Sequence, residues 1–117
     1  MKRYLVLYRV PEGGPSPAEM MANSTPEQTK AGMAAWQAWQ DKAGGAIAEM
    51  GAPVDHLHTV TASGSTAGRS TVTGYSLLEA ASMEDALRVI EGHPHLHVPA
   101  AEIDVFEAVP MPGLEVG

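Results

Sequence analysis

Three features of the sequence predict an α+β domain with the element order β-α-β-β-α-β. Two segments open on capping residues and close on glycine, as helices do. The stretches around them alternate, or run apolar, over lengths typical of strands. The 117 residues, 44% hydrophobic and 18% charged, suffice for one core and are too few for two, so residues 1–117 are expected to form a single domain.

The first strand is Lys2 to Val10, KRYLVLYRV. Tyr4, Val6 and Tyr8 share one face and Leu5 and Leu7 the other, so the strand is expected to be covered on both sides. Pro11 to Ala22, rich in Pro, Gly and Ser, reads as a long loop. Ser24 and Thr25 open a helix, with Pro26 suited to its first position and Ser24/Glu27 or Thr25/Gln28 forming a capping box. It runs to about Ala43 and stops at Gly44-Gly45. Met33, Trp36 and Gln40 form one stripe, with Ala35 and Trp39 beside it. Trp36 and Trp39 are neighbours three residues apart, expected to anchor the helix to a sheet; the alternative is an aromatic wall of a ligand pocket.

Gly51 and Pro53 interrupt the next stretch, giving a short piece near Ala46 to Met50, a bend, and a second strand near His56 to Thr61. Ala62 to Arg69 is a turn. Ser70 to Glu79 is the third strand, with Val72, Ser76 and Leu78 opposite Thr73, Tyr75 and Leu77. Ser82 caps a second helix with Glu84 and Asp85 in its first turn, a buried stripe of Met83, Ala86, Leu87 and Ile90, and Gly92 as its stop. Glu102 to Val109 closes the chain's regular structure as a strand.

This order predicts a ferredoxin-like fold: a four-stranded antiparallel sheet, strand order 4-1-3-2, with both helices on one face. Two helices leave the other face open, although the first and third strands carry apolar side chains there. A symmetric homodimer with two sheets packed face to face covers it.

Fourteen acids against seven scattered bases give a formal charge of −7, which excludes a nucleic-acid partner needing clustered Lys and Arg. Cysteine is absent, which removes thiol catalysis, disulfides and thiolate metal sites. No stretch has the length and apolarity to span a bilayer, no signal-peptide pattern opens the chain, and the expected location is cytoplasmic. Glu12-Gly13-Gly14 lacks the context and the lysine of a phosphate loop, and no cofactor is expected.

Candidate chemistry concentrates in Gly92-His93-Pro94-His95-Leu96-His97, where three of five histidines alternate. An extended backbone would project all three to one side, giving half of a zinc site, although no occupied metal site is expected. The simpler reading sets His93 against the C-terminal dipole of the second helix. Asp55-His56-x-His58 is the second cluster, and Asp55 beside a histidine suits acid/base work. The catalytic candidates are therefore His93 and His95, with Asp55 or His56 as the alternative centre. His93 or His95 is expected to face a cavity bordered by the first strand and the segment Pro11 to Ala22.

The opening MKRYLVLYR, the stretch TGYSLLEAASMEDALRVIEGHPHL and the closing EIDVFEAVPMPG resemble the YCII-related family, in its branch with the DGPF-type domain. The resemblance spans essentially the whole chain and is most specific from Gly74 to Met111. It implies a dimeric α/β barrel and a small enzyme or ligand binder. One branch of the family dehydrochlorinates an aromatic substrate, and enzyme-like members use a His/Asp pair. Their histidine on the first helix has no counterpart between Thr25 and Ala43, and no DGPF tetrapeptide precedes Gly74-Tyr75. The expected protein is a small homodimer of unassigned activity; if it is an enzyme, the expected reaction is cofactor-free acid/base chemistry on a small organic molecule. The alternative is a non-catalytic metabolite-binding or regulatory module.

Overall fold

Alternation along the first strand decides the architecture. In the computed structural model, which describes residues 1–113, β1 (Lys2–Arg9) buries Tyr4, Val6 and Tyr8 and leaves Leu5 and Leu7 half-buried on the opposite face. There follow α1 (Pro17–Asn23), α2 (Pro26–Ala43), β2 (Ile47–Glu49), β3 (His58–Thr61), β4 (Gly64–Ala67), β5 (Val72–Ala80), α3 (Met83–Ile90) and β6 (Glu102–Ala108). Four strands form an antiparallel sheet in the order β2-β5-β1-β6. The protein is therefore α+β, with the two doubly apolar strands at the sheet centre.

The core lies on one face of this sheet. Tyr4, Val6 and Tyr8 of β1 and Leu78 and Ala80 of β5 pack with Trp39 of α2 and Ala86 and Ile90 of α3. Trp39 buries its ring and donates its indole N–H to the Val89 carbonyl at 2.8 Å, joining α2 to α3. A ring of this size contributes several kcal/mol through burial alone, so Trp39 is the main anchor of α2. Residues Met83 and Val89 flank the core, whereas Leu87 is 49% exposed; the buried stripe of α3 thus turns towards Val89 instead of Leu87.

On the opposite face, cross-strand neighbours form two rows. Leu5 sits between Leu77 and Phe106, and Leu7 between Tyr75 and Asp104. Phe106 is 54% exposed there. Ion pairs frame the patch: Arg3 with Glu79 at 3.4 Å, and Arg9 with Glu102 and Asp104 at 3.0 Å each.

Three expectations are corrected. The segment Pro11 to Ala22 is no continuous loop, because it contains most of α1. Ser16 and Glu19 close a capping box around Pro17, with Glu19 N donating to Ser16 Oγ at 3.2 Å and Ser16 N to Glu19 Oε1 at 3.3 Å. Among the described residues there are therefore three α-helices. The edge strand of the sheet is Ile47–Glu49, continued by a bridge between Pro53 and Gly74, and not His56 to Thr61. His58–Thr61 instead pairs with Gly64–Ala67 in a separate exposed hairpin, so the expected turn Ala62 to Arg69 is half strand. Gly51, at φ +76°, forms an irregularity in this edge, and the chain stays paired with β5 through Ala52 and Val54 before it leaves the sheet ahead of the segment 56–61. Among the described residues, no helix is long and apolar enough to cross a membrane.

Candidate functional site

The helix stop at Gly92, φ +71°, drops the chain back onto the sheet and starts a 3₁₀ turn at Pro94–His97. A 3₁₀ turn rotates each residue by about 120°, so His93, His95 and His97 diverge instead of lining up. His93 is fully buried, His95 is 8% exposed, and His97 is exposed. The shared face expected of an extended segment does not form. Among the described residues, no three His, Cys, Asp or Glu side chains gather as a metal site.

His93 sits in an aromatic cage. Its ring centroid lies 4.4 Å from Trp39, 4.6 Å from Trp36 and 4.8 Å from Tyr8. Nδ1 accepts the His95 backbone N–H at 3.0 Å, which puts the proton of the neutral ring on Nε2; that atom is buried without a hydrogen-bond partner. Burial, reinforced by His95 and His97, pushes the His93 pKa down to about 4. The cationic role at the end of α3 is thus corrected: His93 is held neutral inside the core.

Tyr8, Ser76 and Met50 form a buried relay. The Ser76 hydroxyl donates to the Met50 carbonyl at 2.7 Å, so the Tyr8 hydroxyl must donate to Ser76 Oγ, also at 2.7 Å. Burial, partly opposed by the Ser76 bond, pushes the Tyr8 phenol up to about 12. His95 lies tilted against Tyr8 at 5.4 Å between centroids, and its Nε2 lies 2.8 Å from the Arg9 carbonyl. A carbonyl only accepts, so Nε2 carries a proton and Nδ1 of the neutral ring keeps its lone pair.

Above this floor, a cavity of about 770 Å³ opens between the sheet's helical face and the two N-terminal helices. Tyr8, Trp36, Met50 and His95 line its inner part, and Met20, Met21 and Met33 its outer part. His95 thus lies on a cavity bordered by β1 and by residues 17, 20 and 21, the placement expected from the order of elements. Four of the seven methionines, residues 20, 21, 33 and 50, line this one space. Methionine is flexible and polarizable, which suits an adaptable apolar binding surface.

Asp55 and His56 lie elsewhere, on a smaller cavity of about 210 Å³ next to α1. Asp55 accepts the His56 N–H at 2.8 Å and the Ala18 N–H at 3.2 Å. These two bonds, in that order, hold its carboxyl below the usual range. Its oxygens thereby tie α1 to the chain after β2. His56 is exposed at φ +58° and faces outward in the left-handed region. The structure therefore brings His93 and His95 together with Tyr8 and leaves Asp55 and His56 on a different cavity.

Sequence reasoning missed the relay and the methionine lining. One signal was available: Ser76 is a lone hydroxyl between Gly74 and Leu78 on the buried face of β5. No protein-family model matches this chain, and no curated protein does either.

Proposed function

We propose that the chain is a small-molecule-binding protein that takes an apolar ligand into the cavity floored by Tyr8 and His95. The cavity carries this reading. Its size, about 770 Å³, falls within the range of small-ligand sites, and its lining is mostly apolar with a few polar groups at one end. The C–H resonances of the five histidines provide the test. In a screen of small organic molecules, a binder is expected to move the His95 resonances and leave those of His56 unchanged. Hits that move His56 alone, or a screen without hits, overturn it.

A catalytic version of the site is favoured by one observation: the Arg9 carbonyl fixes the His95 tautomer and leaves Nδ1 as the basic nitrogen. His95 is then the proton carrier in cofactor-free acid/base chemistry on the bound molecule, with His93 a neutral support behind it. A bound ligand with an acidic C–H should exchange that proton for deuterium in heavy water. The His95→Gln variant should keep binding and lose exchange; unchanged exchange refutes the catalytic version and leaves the binding version standing.

The YCII-related resemblance and a ferredoxin-like dimeric barrel belong to the same proposal. The order β2-β5-β1-β6 and the open apolar face support them. Leu5, Leu7, Leu77 and Phe106 form a continuous patch that a second copy of the chain would bury, with stabilisation of about 25 cal/mol per Å² of apolar area. Sedimentation should give twice the 12.3 kDa chain mass. Leu5→Glu, which points away from the monomer's core, should give a folded monomer. A wild-type monomer at micromolar concentration refutes the dimer.

A further inference from the structure

We infer that the ligand of the large cavity is an uncharged apolar molecule whose polar group is a hydrogen-bond donor, an O–H or an N–H. This inference rests on the binding reading above and adds the chemical class.

Charge comes first. The chain carries 21 charged residues of the four acidic and basic types, yet among the described residues no Asp, Glu, Lys or Arg lines this cavity. An ionised ligand would leave water for a largely apolar surface that carries no permanently charged side chain, only the imidazoles of His95 and His97, which is unfavourable. A neutral ligand avoids that cost.

Polarity follows from the direction of each hydrogen bond. The Tyr8 hydroxyl donates to Ser76 Oγ, because the Ser76 hydrogen is engaged by the Met50 carbonyl. The Thr73 hydroxyl donates to the Tyr8 carbonyl at 3.3 Å, and the Ser24 hydroxyl to the Met20 carbonyl at 2.6 Å. His95 has its Nε2 proton on the Arg9 carbonyl. Four cavity-lining side chains thus have their hydrogens turned towards the protein's own acceptors. What remains on Tyr8, Thr73, Ser24 and His95 is lone pairs. Side-chain donors without such an engagement are Gln28 Nε2 and the Thr29 hydroxyl, on the exposed N-terminal turns of α2 where Ser24 also lies, the ring N–H of exposed His97, and the indole N–H of Trp36. At the inner end Tyr8, Thr73 and His95 offer lone pairs against the single indole N–H of Trp36, an excess of acceptors that favours a ligand that donates.

A matched set of rigid probes tests this: 1-adamantanol, 1-methoxyadamantane, adamantane-1-carboxylate and protonated 1-adamantanamine. The apolar body is constant while charge and donor capacity change. Calorimetric titration into the wild-type protein should rank the alcohol first, at least about tenfold tighter than the ether and than either ion. In the Tyr8→Phe variant, which keeps the ring, the preference of alcohol over ether should shrink. Equal affinity for alcohol and ether, or tightest binding by an ion, overturns the donor class while the cavity remains a binding site. Failure of all four probes to bind overturns the binding reading and this inference with it. The wild-type ranking alone decides, whatever the stability of the variant.

Discussion

Gly51→Ala is expected to destabilise the protein by at least about 3 kcal/mol, a large share of the roughly 5–15 kcal/mol that holds a domain folded. Gly51 has φ +76°, and a Cβ built there would lie 1.8 Å from the Tyr75 carbonyl oxygen. That atom belongs to the backbone of a central strand and cannot rotate away. The clash is relieved only by lifting the 50–53 segment off β5. Doing so breaks the bond of the Tyr75 N–H to the Ala52 carbonyl and withdraws the Met50 carbonyl from Ser76. The Tyr8 hydroxyl then loses its partner's orientation, so cavity binding should weaken together with stability. Gly44→Ala is the control. Gly44 also has positive φ, +53° with ψ −125°, but a Cβ there meets nothing within 4 Å, so only the backbone strain of about 1–3 kcal/mol applies. Urea unfolding of both variants reads the difference; equal losses would show that the close approach at Tyr75 carries no weight.

His93 should make stability fall as pH drops from about 6.5 to about 4. The sign follows from linkage. The unfolded chain accepts a proton on this imidazole at its ordinary value, near 6.5. The folded protein resists until about 4, because the cage of Trp36, Trp39 and Tyr8 excludes water. The stabilisation from keeping His93 neutral is therefore complete above 6.5, declines through the window, and is gone below 4. The gap corresponds to about 3 kcal/mol. Asp55 and Glu19, whose carboxyls are held low by backbone hydrogen bonds, also lose stabilisation in acid. The difference between wild type and His93→Phe isolates the imidazole. The variant keeps a ring in the cage and leaves the His95 N–H without its acceptor, a cost of about 1 kcal/mol at neutral pH. Its denaturant midpoint should then vary with pH much less than that of the wild type. Parallel pH profiles for the two proteins would place the His93 ring in contact with water in the folded state.

Local chemistry made much of the fold legible. Thr25, Pro26 and Gln28 dictate where α2 begins, and the capping box forms as Gln28 N donates to Thr25 Oγ1 at 3.1 Å. Ser82 caps α3 by accepting the Asp85 N–H at 3.2 Å. The alternation of β1 and β5 set which side chains enter the core, because a strand has two faces and only one was given helices. The Ser16-Pro17-Ala18-Glu19 signal of α1 has the form of the α2 cap, but the Pro and Gly residues around it read as loop.

The residues at positions 93, 95, 55 and 56 could be named from the sequence, but not their arrangement. Which of two short segments would take the sheet edge depended on competition for the free side of β5, where residues 47–54 pair and 58–61 do not, a long-range pairing with no local signature. The divergence of His93 from His95 came from one 3₁₀ turn, which sequence spacing does not distinguish from a strand. The low pKa of His93 arises from three rings brought by α2 and β1, separated by more than fifty residues from the histidine. Composition and periodicity determined the class, the caps and the buried face, since these depend on near neighbours along the chain. The cavity, the relay from Tyr8 through Ser76 to Met50, and the neutral His93 were decided by tertiary structure alone, because desolvation and hydrogen-bond direction exist only once distant segments share one space.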